Sequence, residues 1–374
     1  MKNIQQKINL KKEDNSKYYA SFSYLYCTPL FKAKLFEYFD YDIKRCFEAE
    51  KKELADFQEM YNIPIPRGFF SKKAQLDPDV CLKNALNLEG VKILTYEDEK
   101  YPPLLREIPD FPLCLYYLGD LSNIDYTCML AIVGSRRATN TATGALNSIV
   151  SELNSTNIVI VSGLAYGIDA TAHQAALDNN LTTIAVIGSG LDFQYPAQNK
   201  KLYSDIVLKG GIIFSEYHLK TEPYPMNFPQ RNRIVVGMSK GTLVAEAQMK
   251  SGAMISANLT LDYNRELMCI PGNILNPNTS GIYHLIKNGA GIVTTARDLL
   301  NNLGWDMIHN KKDKTLKLTE TQKKILDIIS FEETTFDEII QKCTMDTASV
   351  MICLTELELN GLIKQSNGKY FKNK

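Results

Sequence analysis

The feature that most constrains the fold is a pair of apolar runs that each end in a glycine-containing turn. Met129–Val133 is followed by Gly134–Arg137, and Ile158–Val161 is followed by Ser162–Asp169. Short apolar runs that end in this way are typical of buried parallel strands leading into helices. Such turns meet at the carboxyl edge of one sheet, where free backbone N–H groups and helix N-termini favour anions. Together with the two arginines of the first turn, the pattern predicts a site for phosphate groups.

The same alternation of apolar runs and helix-length segments continues to about residue 300. The predicted strands are 91–95, 113–118, 129–133, 158–161, 182–187, 212–214, 241–245, 266–270 and 291–293. The intervening segments, such as Thr139–Asn154 and Ser251–Tyr263, have helical length and spacing. An α/β fold with a doubly wound parallel sheet and right-handed crossovers is therefore expected.

The regions on either side of the sheet have different patterns. Residues 18–88 show short-range helical periodicity, which predicts a small helical domain with its aromatic stripe in the core. Three helices and a hairpin at the C-terminal end predict a winged helix. We therefore expect a frayed leader at 1–16 and the following divisions: a helical domain 1–88, a sheet domain 89–302, a linker 303–317 and a winged helix 318–374.

Composition narrows the possible function classes. Lys and Arg together number 42, as do Asp and Glu, and the pI is about 6.9, so a polyanion must be bound by a local patch. The 8 cysteines form no C-x-x-C pair, which favours free thiols in a reducing cytoplasm. The sequence contains no signal core or apolar run of membrane length, and no GxGxxG, Walker A or HExxH motif. We therefore expect a cytoplasmic protein with no membrane span, metal or cofactor.

The predicted phosphate site has a basic and aromatic character. Ser135 and Arg136 offer a hydroxyl and a guanidinium after the first strand, and the segment 228–233 offers Phe228, Arg231 and Arg233. Residues 195–250 contain eight basic and four acidic residues. Guanidinium groups bind phosphate in a bidentate way and an aromatic ring stacks a base, a combination that suits single-stranded nucleic acid better than a duplex.

Some of these residues also have structural interpretations. Arg231 and Arg233 are two positions apart, so on a helix they point in nearly opposite directions, and one of them is open to pairing with a carboxylate instead. Asp169 is expected to cap the helix that it precedes, and His173 to be a packed histidine.

Ordered motifs extend over residues 96–300. They are Tyr101-Pro102-Pro103-Leu104-Leu105, Gly134-Ser135-Arg136, Ser162 to Asp169, Gly190-Leu191-Asp192 with Tyr195-Pro196, Phe228 to Arg233, Ala245-Glu246-Ala247, Ser251-Gly252-Ala253 and Ile270-Pro271-Gly272-Asn273. In these motifs the chain resembles the DprA/Smf family of bacterial DNA-processing proteins.

The resemblance implies an extended Rossmann fold with a helical N-terminal domain and a C-terminal winged helix. It also implies a homodimer without catalytic activity that binds and protects single-stranded DNA during natural transformation and helps to load the RecA recombinase. The residues expected at the DNA are Ser135, Arg136, Ser162, Gly163, Phe228 and Arg231, with Arg233 as a further candidate. A family lysine has two candidate counterparts, Lys200 and Lys220, of which Lys200 is preferred.

The winged helix and the rival functions give further expectations. The third helix of the winged helix, predicted from Thr347 to Leu359, has no Lys or Arg and carries Glu356 and Glu358, so it is not expected to bind DNA strongly. An alternative function is a nucleoside monophosphate phosphoribohydrolase that uses Arg233 and Glu246 as its reactive pair. A third is a scaffold whose sheet binds nothing.

Overall fold

The structure, a computed structural model, describes residues 15–154, 156–305, 319–329, 334–343, 345–359, 362–366 and 369–372. The chain forms two compact units, 1–310 and 311–374, and each is described by itself. The predicted leader at 1–16 and the predicted linker at 303–317 lie largely outside the described residues.

The first unit begins with short helices. They are α1 Ser16–Ser23, α2 Pro29–Tyr38, α3 Ile43–Glu48, α4 Glu53–Tyr61, α5 Phe69–Lys73 and α6 Pro78–Ala85. Polar caps start several of them; for example, the Thr28 hydroxyl accepts a hydrogen bond from the amide of Phe31 at 3.3 Å. Phe31, Phe36 and Phe57 are fully buried, which confirms that the aromatic stripe is core.

These helices share one hydrophobic core with the sheet. The Phe36 ring lies edge-on to the Tyr96 ring at 5.4 Å between centroids, and Tyr96 follows the first strand. The expected boundary between residues 88 and 89 falls inside the first unit and stays a prediction.

Nine strands of the described chain form one sheet. They are β1 Lys92–Thr95, β2 Cys114–Leu118, β3 Met129–Val133, β4 Val159–Ser162, β5 Thr183–Ile187, β6 Ile212–Ser215, β7 Gly241–Val244, β8 Glu266–Cys269 and β9 Gly291–Ile292. The spatial order is β1-β2-β6-β5-β4-β3-β7-β8-β9. Strands β3 to β9 run parallel to one another, and β1 and β2 form an antiparallel edge that joins the sheet at β6. The predicted α/β fold with a large parallel sheet is confirmed.

Helices cover both faces of this sheet. They are α7 Asn140–Ser151, α8 Ile168–Asp178, α9 Lys200–Leu208, α10 Asn227–Gly237, α11 Gly252–Asp262, α12 Ser280–Lys287 and α13 Ala296–Leu303. Alternate residues of β3 divide between two cores, with Leu130 and Ile132 in one and Met129 and Ala131 in the other. Burial on both faces explains why the strands read as continuous apolar runs.

The strand order places a crevice beside β3. From β3 the chain adds β4, β5 and β6 on one side, and then returns to place β7 on the other side. A doubly wound sheet binds its ligands at the carboxyl ends of strands where the order reverses in this way. The turn after β3 therefore lies at the edge of the sheet where a ligand is expected.

The second unit has its own small core. Its elements are α14 Glu320–Ile328, β10 Thr334–Thr335, α15 Phe336–Lys342, α16 Thr347–Leu359, β11 Ile363–Ser366 and β12 Lys369–Lys372, with the strands in the order β10-β12-β11. Three helices and a hairpin confirm the predicted winged helix. In α16, Met351 and Ile352 are exposed, while the Glu356 carboxylate accepts a hydrogen bond from Gln322 at 2.7 Å.

In the part of the chain that the structure describes, every helix is too short or too polar to cross a lipid bilayer.

Candidate nucleic-acid interface

A groove of about 730 Å³ lies at the carboxyl ends of the central strands, beside β3 and β7. The turn after β3 contributes Ser135, Arg136 and Arg137, and the first turns of α10 contribute Phe228 and Arg231. The opposite wall is built from residues 248–256, which follow β7. The structure thus brings Arg136 and Arg231, which are almost a hundred positions apart in the sequence, to one groove.

An aromatic and cationic cluster forms one side of the groove. The guanidinium carbon of Arg136 lies 5.2 Å from the centroid of the Phe228 ring, and the Tyr195 ring lies 5.6 Å from Phe228. Arg136 is exposed and has no carboxylate partner among the described residues. A guanidinium that rests on a ring and still faces water remains available to phosphate, while the rings offer a surface for a base.

The turn after β3 is held in place by backbone contacts. The Ser135 amide donates to the Glu246 carbonyl at 2.8 Å, and the Ser135 carbonyl accepts from the Ile168 amide at 3.1 Å. Gly167 has a φ of 71°, and a Cβ there would lie 2.2 Å from the Ser135 carbonyl oxygen. Glycine at 167 thus lets the start of α8 pack closely on this turn and fixes where Arg136 leaves the backbone.

Arg137 is a groove residue that the sequence reasoning did not include among its site residues. It is exposed and lines the groove, and its amide donates to the Ser135 hydroxyl at 3.1 Å. The sequence signal for Arg137 is its position next to Arg136 in a predicted loop, where two neighbouring side chains can both face the same groove.

Arg231 forms the floor of the groove rather than an open contact. It is 3 % exposed, and its Nη1 donates to the Val186 carbonyl at 3.0 Å. Its guanidinium is packed against Gly163, where a Cβ would lie only 1.3 Å from Nη1. Burial lowers the pKa of Arg231, and the Asp169 carboxylate, 3.9 Å away, opposes that shift. Arg231 therefore supports the groove from below.

Gly163 and Asp169 have roles that differ from those expected. Burial raises the pKa of Asp169, and the Arg231 guanidinium and the nearby backbone amides of Ala165 and Gly163 oppose that shift. Gly167, and not Asp169, takes the N-cap position of α8. The prediction that Asp169 caps this helix is therefore wrong. The requirement for glycine at 163 comes from the close approach of Arg231.

Ser162 does not offer its hydroxyl to a ligand. The side chain is fully buried, and Oγ donates to the Ile132 carbonyl at 2.6 Å. The expectation that Ser162 contacts DNA directly is corrected for this reason: at the last position of β4 its hydroxyl completes the pairing with β3.

Arg233 does not line the groove. It is 2 % exposed, with Nη2 2.5 Å from Glu216 and Nε 3.7 Å from Asp110. Burial acts to lower the pKa of Arg233, but the negative charges of Glu216 and Asp110 together have the larger effect, so the pKa is raised overall. Because 231 and 233 are on opposite sides of α10, only one of them can face the groove, and the expectation for Arg233 is corrected.

Neither candidate lysine lines the groove. Lys200 is exposed at the start of α9. Lys220 is exposed with a φ of 67°, and its amide donates to both oxygens of Asp192 at 3.0 Å. Within the described residues, the additional positive charge at the groove comes from Arg137.

His173 is a packed histidine, as expected. The Thr183 hydroxyl donates to the Ile160 carbonyl, so it accepts the hydrogen bond from His173 Nδ1, at 2.7 Å. This assigns the proton to Nδ1. Complete burial lowers the pKa of His173 to about 3, so the ring stays neutral.

The pair required by the alternative enzymatic function is not assembled. Glu246 is buried and accepts hydrogen bonds from the amide and the hydroxyl of Thr139, at 3.1 and 2.7 Å. Arg233 is held by Glu216 instead. The proposal that Arg233 and Glu246 act together on a glycosidic bond is therefore wrong for this chain.

Comparison with known families agrees with this architecture. The profile of DNA recombination-mediator protein A matches residues 92–304, and the profile of the DprA winged helix domain matches residues 309–369. The chain belongs to the DprA/Smf family.

Relatives in this family are similar over most of the chain. DNA processing protein DprA of Streptococcus pneumoniae is 38% identical over 66% of this chain and 86% of its own length. Protein Smf of Escherichia coli is 34% identical over 75% of this chain and 77% of its own length.

Two solved DprA structures are also similar. The X-ray structure of the Streptococcus pneumoniae protein has a TM-score of 0.66 at 34% identity and covers 78% of this chain and 98% of that one. The Helicobacter pylori structure, which was determined to explain a single-stranded DNA binding mode, has a TM-score of 0.52 at 32% identity. It covers 58% of this chain and 96% of that one.

Proposed function

We propose that this chain binds single-stranded DNA in the groove beside β3. The observation that carries the proposal is the exposed guanidinium of Arg136 resting on the Phe228 ring, 5.2 Å from its centroid. Arg136 and Arg137 bind successive phosphates, and Phe228 and Tyr195 stack an unpaired base. A duplex keeps its base faces inside, so the rings have no counterpart there.

The division of labour in the groove follows from burial. Arg231 packs on Gly163 and donates from Nη1 to the Val186 carbonyl. The Asp169 carboxylate lies 3.9 Å from that nitrogen, so the charge of Arg231 is balanced inside the fold. Arg231 therefore shapes the groove, and the exposed arginines of the turn after β3 supply its positive charge. Ser135 shapes the turn through its backbone, and its hydroxyl is the one predicted site hydroxyl at the groove surface of the described residues.

Family membership supports the finer statements of the proposal. We propose that the chain acts in the cytoplasm as a homodimer without catalytic activity, protects DNA that enters during natural transformation, and assists RecA in loading on it. The matched profile is that of a recombination-mediator protein, and the Helicobacter pylori relative binds single-stranded DNA. A test measures how fast RecA forms filaments on strands already coated with single-strand binding protein, with and without this chain.

Competition binding tests the groove directly. Single- and double-stranded oligonucleotides compete for the chain at several salt concentrations. The single strand is expected to bind more tightly than the duplex at each concentration. Arg136→Ala is expected to weaken binding by roughly tenfold, because a charge-assisted contact is lost. The slope of log affinity against log salt should fall by about 0.7. Arg297→Ala, an exposed arginine outside the groove, is the matched control. An equal loss of DNA affinity in Arg136→Ala and Arg297→Ala would refute the assignment of DNA binding to this groove.

A further inference from the structure

A second concave surface lies on the helical part of the first unit. It is a pocket of about 330 Å³, here called the helical pocket, between residues 25–27 and residues 67–75. Its lining includes Tyr26, Arg67, Ser71 and Lys72, and no lining residue is acidic. None of these residues belongs to the groove beside β3.

Basic residues outnumber acidic residues in the two segments that form the helical pocket. Segments 15–36 and 60–76 contain six basic residues and no acidic one, in a chain whose acidic and basic residues balance. Some of the six are used internally: Lys17 pairs with Asp79, and Lys34 pairs with Glu37. Arg67 and Lys72 are exposed and have no carboxylate partner among the described residues. Two unneutralised cations at one pocket favour a polyanionic occupant.

An aromatic ring stands at the same place. Tyr26 is 93 % exposed and stacks on no other ring of the described chain. Tyr26 thus offers a solvent-facing ring at the same pocket as the cations Arg67 and Lys72. Base stacking on such a ring does not depend on base identity.

The helical pocket is connected to the groove by one short segment. Tyr24, two residues before Tyr26, stacks face to face on His218, with 3.8 Å between ring centroids. His218 and the groove residue Pro223 are five positions apart, so they are separated by at most about 18 Å. The exposed Lys220 lies between them in the sequence, and the ammonium group of Lys32 is within electrostatic reach of both His218 and Cys27. Lys220 and Lys32 thus lie along this route, together with the acidic residues Glu222 and Asp192.

We propose that the helical pocket is a second contact for single-stranded DNA, which leaves the groove past Lys220 and stacks a base on Tyr26 while Arg67 and Lys72 bind its phosphates. This inference rests on the proposed function of the groove and extends the bound length of strand. It predicts that the helical pocket contributes only when the strand is long enough to reach it.

Oligonucleotide length separates the two sites. The full chain is titrated with deoxythymidine oligonucleotides of about 6 and about 16 nucleotides, lengths within the range of single-strand sites. The double variant Arg67→Gln/Lys72→Gln is expected to bind the short strand like the wild type. Its affinity for the long strand should fall by about fivefold or more, and the slope of log affinity against log salt should fall by about 1.4. Lys44→Gln is the matched control, because Lys44 is an exposed lysine of the same helical segment outside the pocket. This variant should change neither the affinity for the short strand nor the affinity for the long strand.

Tyr26 provides an independent readout. Tyr26→Ala should weaken binding of the long strand by about fivefold or more, and Tyr26→Phe should restore it, because stacking needs the ring and not the hydroxyl. The ring is almost fully exposed, so neither change removes core packing.

The outcomes distinguish this inference from the function on which it rests. If Arg136→Ala weakens both lengths while all helical-pocket variants bind both like the wild type, the groove stands and the second contact is refuted. That result would assign the pocket to an occupant such as an acidic protein surface. If Arg136→Ala changes neither length, the function proposed for the groove itself fails.

Discussion

Arginine side chains at this site differ because of the environment that each one reaches. Arg136 ends on an aromatic ring and in water, Arg231 lies under Gly163 with its Nη1 on a carbonyl, and Arg233 is neutralised by Glu216. The guanidinium group is the same in all three. Its surroundings decide whether it binds a ligand, supports a groove or joins two segments of the fold.

Gly163→Ala is predicted to destabilise the fold through Arg231. The new Cβ would lie 1.3 Å from Arg231 Nη1, so the buried guanidinium must shift away from its contact with Asp169. Breaking a buried charged pair of this kind costs about 3 kcal/mol or more. The free energy of unfolding in urea measures the effect.

Gly144→Ala is the control for that substitution. Gly144 lies in α7 with nothing within 4 Å of an added Cβ. Replacing glycine by alanine inside an open helix is expected to stabilise by about 0.5–1 kcal/mol. If Gly163→Ala and Gly144→Ala lowered the free energy of unfolding by similar amounts, the packing of Arg231 would not be the reason for glycine at position 163.

His173 is predicted to make the first unit sensitive to acid. Its pKa is lowered to about 3 by burial, while the unfolded chain takes up a proton near the ordinary pKa of 6.5. Between these values only the unfolded state binds the proton, so stability is complete above pH 6.5 and is lost as the pH falls toward 3. In this range His173 lowers the free energy of unfolding by up to about 1.4 kcal/mol for each unit by which the pH falls. His173→Gln should remove that pH dependence in urea unfolding measured from pH 7 to pH 4; an unchanged pH dependence would contradict it.

At the scale of elements, the turns after the strands decide what the sheet can bind. The turn after β3 is fixed by the Glu246 carbonyl and by the start of α8, which touches it because residue 167 is glycine. The turn after β4 is drawn inward by Asp169 and packed over Arg231. Two neighbouring turns thus have different roles: the first presents its side chains, and the second closes the floor.

Helix α16 of the winged helix is predicted to take no part in DNA binding. It has no basic residue, and its Glu356 and Glu358 accept hydrogen bonds from Gln322 and from the amide of Gln365. The double variant Glu356→Gln/Glu358→Gln keeps carbonyl acceptors and should leave the affinity for single- and double-stranded DNA unchanged in a gel shift. A clear loss of affinity would show that this helix contacts DNA.

At the scale of the whole molecule, both surfaces proposed to bind DNA belong to the first compact unit. Every residue that lines the groove or the helical pocket lies between positions 25 and 278, inside the unit that ends at Asn310. The winged helix has a separate core, formed from residues 325 to 370.

A chain that ends at residue 310 is therefore predicted to bind single-stranded DNA like the full chain. Its dissociation constant should stay within about twofold, a difference of only about 0.4 kcal/mol. Fluorescence anisotropy with a labelled oligonucleotide measures the value for both chains. Loss of most of the affinity would place part of the DNA surface in the second unit.

Much of the architecture could be predicted because its signals are local. The apolar run 129–133 became β3 at the same bounds, and residues 114–118 and 212–215 also became strands. The antiparallel pairing of β2 with β6 was not foreseen, because pairing direction depends on which strand lies alongside. At the site, the sequence correctly predicts Arg136 and Phe228 together at the edge of the sheet. It counts Arg137 in the charge of the same turn but does not single it out as a site residue.

The sequence by itself determined which segments form strands and helices, and which turns carry charge, since periodicity and turn chemistry act over a few residues. Only the tertiary structure decided which polar groups face the groove. Ser162 is turned toward a carbonyl 30 positions away, Arg233 toward a carboxylate 17 away and Arg231 toward a carbonyl 45 away. The physical reason is that a buried polar group must find a partner wherever the fold supplies one, and that partner is unknown until distant segments have packed.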